Sequence, residues 1–322
     1  MKRLFFLRWL RGQAPGPLLI VAGILARLAV PVHSQEPLRT AFITDANPKG
    51  PTLHDVPPPV DPATELTEEA RQLAGPLTPE DAQRQESLRT IAKSIALITE
   101  GCEKFGKVPV YSAQFRKLER IDGELHDEQL ISAKIQHAPF SVYMKWIEGD
   151  KNRQLIFVEN KFEDRLLVQP GGIAGRVTGV LKLDPDSEMA RSDSRYSIRE
   201  AGLLNLASMV LSFQRVDIQR GQGCFSQMRE EDEDPSGRAT YHFTTTYDSP
   251  EFNALYRKAE VYVDRELLVP TCVRNFTWAV DVDEATLDED TLIEFYQWSE
   301  IEVGEVDEAA FDPKNKNYRM KM

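Results

Sequence analysis

The sequence predicts an α+β fold in which two amphipathic helices are each followed by a run of antiparallel strands. The first observation behind this is the alternation in Pro139-Phe140-Ser141-Val142-Tyr143-Met144-Lys145-Trp146. Phe140, Val142, Met144 and Trp146 fall on one face at period two, and Ser141, Tyr143 and Lys145 on the other. The second is that this stretch belongs to a series of strand-like runs joined by short turns, the pattern of a meander. The third is a capped helical stripe ahead of each strand series. Burying the four large apolar side chains contributes roughly 1.5–3 kcal/mol each, so that face must cover either a core or a ligand.

Taken in order, residues 1–34 open with Lys2, Arg3, Arg8 and Arg11, continue through the apolar stretch Pro17 to Ala26, and end in small or polar residues through Ser34. This is the pattern of an export signal cleaved after Ser34. The alternative is an uncleaved anchor, but its apolar stretch falls short of the ~20 residues a spanning helix needs. The protein is therefore expected in the periplasm or outside the cell. Residues 35–78 carry Pro37, Pro48, Pro51, Pro57, Pro58, Pro59, Pro62 and Pro76 without hydrophobic periodicity, which predicts a disordered tether with at most a short turn around Glu65 to Leu73. A single domain is expected over 79–322.

Thr78-Pro79-Glu80-Asp81 supplies an N-cap, a proline at the first helical position and acid in the first turn. Leu88, Ile91, Ala92, Ile95 and Ile98 follow at helical spacing, and Gly101 is expected to close a helix over about 79–100. From Val110 the period changes to two. Strands are expected over 111–121, 128–137, 140–147, 154–159 and 165–169, with Asp122-Gly123 as a hairpin turn. Pro170-Gly171-Gly172-Ile173-Ala174-Gly175 and Asp184-Pro185-Asp186 break the series. A second helix is expected from about Ser197, where Ser197 and Glu200 form a capping box and Leu203, Leu206, Ala207 and Val210 supply the stripe. Further strands are expected over 224–228, 239–247, 257–263, 271–279 and 292–303. No internal repeat of fixed length is present.

Charge narrows the partners. Residues 1–34 hold five basic and no acidic side chains, so their removal takes the formal net charge from −12 to −17. Nucleic acid is a poor partner for such a chain, because phosphate binding needs clustered Lys and Arg. Adsorption to an anionic membrane surface is disfavoured for the same reason. Of the three cysteines, Cys224 and Cys272 lie in strand-like segments of the C-terminal half and are expected to be bridged, leaving Cys102 at a helix end.

Catalytic and metal-binding patterns are weak. His126, His137 and His242 have no partner at metal-ligand spacing. Asp184-Pro185-Asp186-Ser187-Glu188 and the acidic run over 281–290 lack the glycine and spacing of an EF-hand, and are expected to be solvated loops. Pro170–Gly175 has no Lys-Ser/Thr, so it is not a P-loop, and no G-x-S-x-G elbow occurs. Glu119 and Glu200 are candidates for paired carboxylates, but pairing with Arg120 or Arg195, or capping, is their expected role. Neither a cofactor nor a metal site is expected, and the chain is read as a non-enzyme.

Four separated segments carry a family resemblance: Phe115-Arg116-Lys117-Leu118-Glu119-Arg120-Ile121-Asp122-Gly123, His137-Ala138-Pro139 through Trp146, Leu183-Asp184-Pro185, and Arg195-Tyr196-Ser197-Ile198-Arg199-Glu200-Ala201-Gly202. With the tail Phe311-Asp312-Pro313-Lys314-Asn315-Lys316-Asn317-Tyr318, they resemble the bacterial domain-of-unknown-function family 1571 over about residues 85–320. The order of helix, meander, helix and second meander resembles the LolA/LolB-like lipoprotein-carrier architecture. That resemblance implies a curled antiparallel half-barrel of about 9–11 strands wrapped around two or three helices. It also implies an acyl-binding groove, whose candidate lining is Phe115, Phe140, Val142, Met144, Trp146, Leu203 and Leu206. Two readings follow: a periplasmic carrier of a lipid-like or lipoprotein acyl ligand, or a structural or protein-interaction module of the cell envelope with a filled groove.

Overall fold

The computed structural model describes residues 78–279, 282–304 and 306–320. The expected leader, the Pro-rich arm up to residue 77 and the turn around Glu65 to Leu73 lie outside them.

Helix α1 runs Pro79–Phe105, and its N-cap is the expected one, with the Thr78 hydroxyl accepting from the Asp81 amide at 3.1 Å. It does not stop at Gly101. A Cβ there would lie 2.0 Å from the Leu268 carbonyl oxygen, so the glycine permits close backbone approach rather than termination, and the helix runs one further turn. Ile91, Ser94, Ile98, Gly101 and Phe105 form its buried stripe.

Twelve strands form one antiparallel sheet. The first meander comprises β1 (Val110–Ile121), β2 (Glu124–Leu125), β3 (Gln129–Gln136), β4 (Ser141–Trp146), β5 (Gln154–Val158), β6 (Leu166–Gln169) and β7 (Leu181–Leu183). The second comprises β8 (Cys224–Glu233), β9 (Ala239–Tyr247), β10 (Lys258–Asp264), β11 (Pro270–Phe276) and β12 (Leu292–Val303). Ten of these correspond to the expected runs. The two-residue β2 and three-residue β7 are too short to show a period. The spatial order is β7-β6-β5-β4-β3-β1-β12-β11-β10-β9-β8, so pairing of β1 with β12 joins the two meanders. Both are 12 residues long, and their register sets Phe115 opposite Trp298, Lys117 opposite Tyr296 and Glu119 opposite Glu294.

Between the meanders lie the short helices α2 (Ala174–Val177) and α3 (Glu188–Arg191) and the second long helix, α4 (Leu203–Arg220). The capping box of Ser197 and Glu200 forms as expected, but it caps a separate 3-10 turn, Ile198–Glu200. Gly202, at φ 104°, interrupts the chain before α4 begins at Leu203. A side chain at Gly202 would meet the Tyr111 hydroxyl, which accepts from the Leu203 amide at 2.9 Å. Leu203, Leu206, Ala207, Val210 and Leu211 of α4 join Ile98 and Phe105 of α1 in one core against Tyr111, Ala113, Ile131, Ile135, Val142 and Phe157 of the sheet. The sheet thus curls around two helices, as the α+β reading expects. A fifth helix, the short α5 (Leu287–Thr291), precedes β12. No helix among the described residues is long and apolar enough to cross a membrane.

The expected Cys224–Cys272 bridge is corrected: both thiols are free. β8 and β11 are three strands apart, about 14 Å at ordinary strand spacing, far beyond disulfide reach. They also face opposite ways. Cys224 pairs with Tyr247, whose hydroxyl reaches Asp217 of α4, whereas Cys272 packs with Tyr262 and Phe295 on the outer face. Two strand-like segments in sequence do not imply adjacent strands.

The outer face of β4–β6 is covered as well. After a 3-10 turn, Glu308–Phe311, the tail brings Phe311, Tyr318 and Met320 onto Tyr143, Ile156, Val158 and Leu167. Tyr318 stacks on Tyr143 with ring centroids 4.0 Å apart and planes 7° from parallel. Tyr143 and Ser141, on the less apolar side of the alternating stretch, are buried by this cover. The strand that looked half-buried in sequence is enclosed on both faces. Tyr318→Ala is expected to lower stability by roughly 1–3 kcal/mol, measured by urea unfolding.

Candidate ligand-binding site

Where α4 and the strap leading into it, residues 188–202 including α3, cross the concave sheet, they leave a cavity of about 470 Å³. Its floor comes from alternating positions of the sheet: Phe115 of β1, Ile131 of β3, Met144 and Trp146 of β4, Leu155 of β5 and Leu166 of β6. Tyr296 and Trp298 of β12 close one side. Ala190, Tyr196 and Ile198 of the strap, with Leu206 and Met209 of α4, form the roof.

The walls are fixed by contacts among themselves. Phe115 stacks on Trp298 at 4.3 Å and 19°, which follows from their cross-strand pairing. Trp146 is held at one edge and on one face. Its Nε1–H donates to Gln129 Oε1 at 2.8 Å, and the Arg153 guanidinium lies 4.7 Å from its ring centroid.

One end of the cavity is polar and centres on Asp193. Lys117 Nζ donates to the Asp193 carbonyl at 2.8 Å and to Glu119 Oε2 at 3.0 Å. Arg153 Nη1 donates to Asp193 Oδ2 at 2.7 Å. Burial alone would raise the Asp193 carboxyl, but the hydrogen bond and charge of Arg153 outweigh it and hold the group below the usual carboxylate range. Glu119 also accepts from the Tyr296 hydroxyl and, at 3.4 Å, from the Arg195 amide.

Behind this end lies Glu294, fully buried. It accepts from Arg195 Nε at 2.8 Å, the Tyr256 hydroxyl at 2.8 Å, the Tyr196 hydroxyl at 3.0 Å and Asn275 Nδ2 at 2.7 Å. Burial and then the Glu294 charge push the phenols of Tyr196, Tyr256 and Tyr296 far up, so they remain neutral donors. Arg195 therefore ties the strap to the sheet, joining Glu294 through its side chain and Glu119 through its amide.

The sequence-derived candidates divide. Phe115, Met144, Trp146 and Leu206 line the cavity. Val142 and Leu203 are fully buried in the core, and Phe140 packs on Phe157 beside β4. Lys117, Arg153, Asp193, Tyr296 and Trp298 were missed, and Glu119 was singled out only as a carboxylate or ion-pair partner, not as part of the lining. Lys117 and Glu119 had one available signal: they share a strand face with Phe115, so charged groups continue an inward-facing row. Glu119 and Glu200 do not act as a pair, because Glu200 accepts from the Ser197 amide at 2.9 Å in its capping box. Among the described residues no cluster of three or more His, Cys, Asp or Glu is placed to hold a metal. None of the cavity-lining residues is a histidine. Of the acidic loops, Asp184 pairs with Arg165 and Asp288 with Arg257 and Lys258.

Residues 108–320 match the family model described as Protein of unknown function (DUF1571). No curated protein matches. Among solved structures the chain is similar to the lipoprotein LppX of Mycobacterium tuberculosis, at 12% identity and a TM-score of 0.37, over 67% of this chain and 99% of that one. It is similar to LprF of Mycobacterium bovis at 10% and 0.37, over 67% and 95%. A LolA superfamily protein of Nitrosomonas europaea gives 9% and 0.29, over 68% and 96%.

Two tests follow from the polar network. Arg195→Met leaves the buried Glu294 uncompensated and is expected to cost about 3–5 kcal/mol, with part recovered when Glu294→Gln is added; chemical denaturation of the single and double variants measures both. The Asp193 carboxyl is depressed in the folded chain, so its link to Arg153 stabilises above the ordinary carboxylate range near pH ~4 and is lost as pH falls through the lower folded value. The stability gap between wild type and Asp193→Asn should therefore shrink on acidification, followed by urea titrations from neutral to acid pH.

Proposed function

The chain belongs to the DUF1571 family, and we propose that it is a non-catalytic binding protein or carrier of the bacterial cell envelope that takes one lipid-like amphiphile between its concave sheet and α4. The observation that carries this reading is the cavity. At about 470 Å³ it falls within the range of ~300–1,000 Å³ typical of small-ligand sites. Its wall is mainly apolar, with the charged side chains of Lys117, Glu119, Arg153 and Asp193 gathered in one hydrogen-bonded group, which suits a ligand with a large apolar part and a polar group. Met144 and Met209 supply adaptable side chains that accommodate chains of differing shape. A structural module with a filled groove has no use for such a void.

The envelope assignment rests on the basic-then-apolar start of the sequence, which has the pattern of an export signal. A lipid or a lipoprotein acyl chain is the partner proposed, delivered to or received from another envelope protein.

Native mass spectrometry of protein purified from its host is expected to find a co-purifying amphiphile at one per chain. Met209→Trp places a larger side chain in the roof of the cavity and should abolish that adduct while circular dichroism and the unfolding midpoint stay near wild type. Wild-type protein that carries no adduct and takes up none when offered lipid would exclude the carrier reading.

A further inference from the structure

The trough that holds the cavity runs on beyond it. The cavity floor crosses the sheet from Leu166 of β6 to Tyr296 of β12. On the next strand, β11, Val273 lies directly opposite Tyr296, and Val261 of β10 lies opposite Val273. These two valines line a second and smaller void of about 40 Å³, which Phe213 of α4 and Ala259 of β10 help to enclose. The second void therefore begins on the strand beside the one where the first stops. Among the described residues, Met209 alone lines both.

The partition between the two voids is stiff on one side and soft on the other. Its sheet side is built from hydrogen-bonded tyrosines. The Tyr196 hydroxyl, in the wall of the first void, lies 3.4 Å from that of Tyr256, in the wall of the second, and both donate to the buried Glu294 carboxylate. Tyr296 donates to Glu119. Displacing any of these rings strips a donor from a buried carboxylate, which is costly. Met209 comes from the α4 side and is half-buried against the core. Its unbranched side chain has no donor to lose and adapts readily to its neighbours. One helical turn further on, Phe213 is packed on Tyr256 with ring centroids 5.4 Å apart. Met209 is thus the member of the partition that can shift, or be trimmed, without breaking a hydrogen bond.

Building on the carrier reading above, we propose that Met209 sets how long a hydrocarbon chain the cavity takes: the chain lies across the strands of the floor, and its methyl end stops against Met209, which closes the way into the second void. The surfaces on both sides of this stop suit methylene groups. Phe115 and Trp298 lead up to it, and Val273, Val261 and Phe213 lie beyond it. Asn275 and Asp217, polar members of the second void, are already bonded to Glu294 and Tyr247. The ligand class that follows is a lipid of limited chain length.

The test uses protein purified from its host and stripped of lipid, titrated calorimetrically with straight-chain saturated fatty acids of increasing length, each below its aggregation concentration. Wild-type affinity should rise about fourfold per added methylene while each is buried, then level off once the chain meets Met209. Met209→Ala should move that limit to longer chains by roughly two to four carbons, because the space it leaves closes only in part. Met209→Val should move it by fewer, and serves if Met209→Ala does not fold. Adding Ala259→Leu to Met209→Ala fills the second void and should bring the limit back toward the wild-type length. If wild type shows no limit, or neither single variant moves it, the role of Met209 is overturned and the carrier reading stands. A double variant that keeps the longer limit overturns the passage into the second void. If wild type binds no member of the series, the role of Met209 and the carrier reading fall together.

Discussion

Two carboxylates, Glu119 and Glu294, face each other across the central strand pair of the sheet, and the placement of the surrounding elements serves to neutralise them. Like charges directly opposite on paired strands repel, and their burial removes the water that would screen them. Their compensation comes from several parts of the chain: Lys117 from the same strand, Tyr296 from β12, Tyr256 and Asn275 from the second meander, and Arg195 with Tyr196 from the strap before α4. The network therefore does more than satisfy two buried acids. It fastens the strap to the seam where the two meanders meet, and that strap is part of the roof over the cavity.

The cavity follows from this attachment. α1 and α4 fill the concave face over most of its width, with Gln214 Nε2 donating to Ser94 Oγ at 2.8 Å to join the helices. Where the strap takes over from α4, small and polar residues such as Ala190, Ser194 and Ala201 replace large apolar ones, and the core does not close. Beneath the gap, β4–β6 are held from behind by the tail around Tyr318. A floor packed on both faces has little freedom to collapse into the space above it. Rigid walls of this kind reduce what a ligand loses on binding.

Much of the fold was legible in the sequence because strand and helix periods are local properties. The alternation of Phe140, Val142, Met144 and Trp146 placed β4 correctly, and Thr78-Pro79 placed the start of α1 to the residue. Local rules misled where a distant contact decided the outcome. Gly101 carried a stop signal, but the Leu268 backbone pressed against it shows that it allows an approach. Ser197 and Glu200 carried a start signal, and they do cap a turn, but Gly202 separates it from α4. The second coverage of Tyr143 depends on residues more than 160 positions away, beyond any window of periodicity.

The site divides in the same way. By itself the sequence determined which faces are apolar, that the chain is strongly acidic, and that the strand bearing Trp146 must cover something. It placed Phe115, Met144, Trp146 and Leu206 among the candidates because an inward, large and apolar position can be read from spacing alone. Only the tertiary structure decided which inward residues face filled core and which face a cavity, separating Val142 and Leu203 from their neighbours. It alone brought Lys117, Arg153 and Asp193 together from positions up to 76 residues apart. The reason is physical: periodicity fixes the direction of a side chain relative to its own strand, whereas a cavity and its charges are properties of the gap between elements, set by strand register and by how the strap is tied across the sheet.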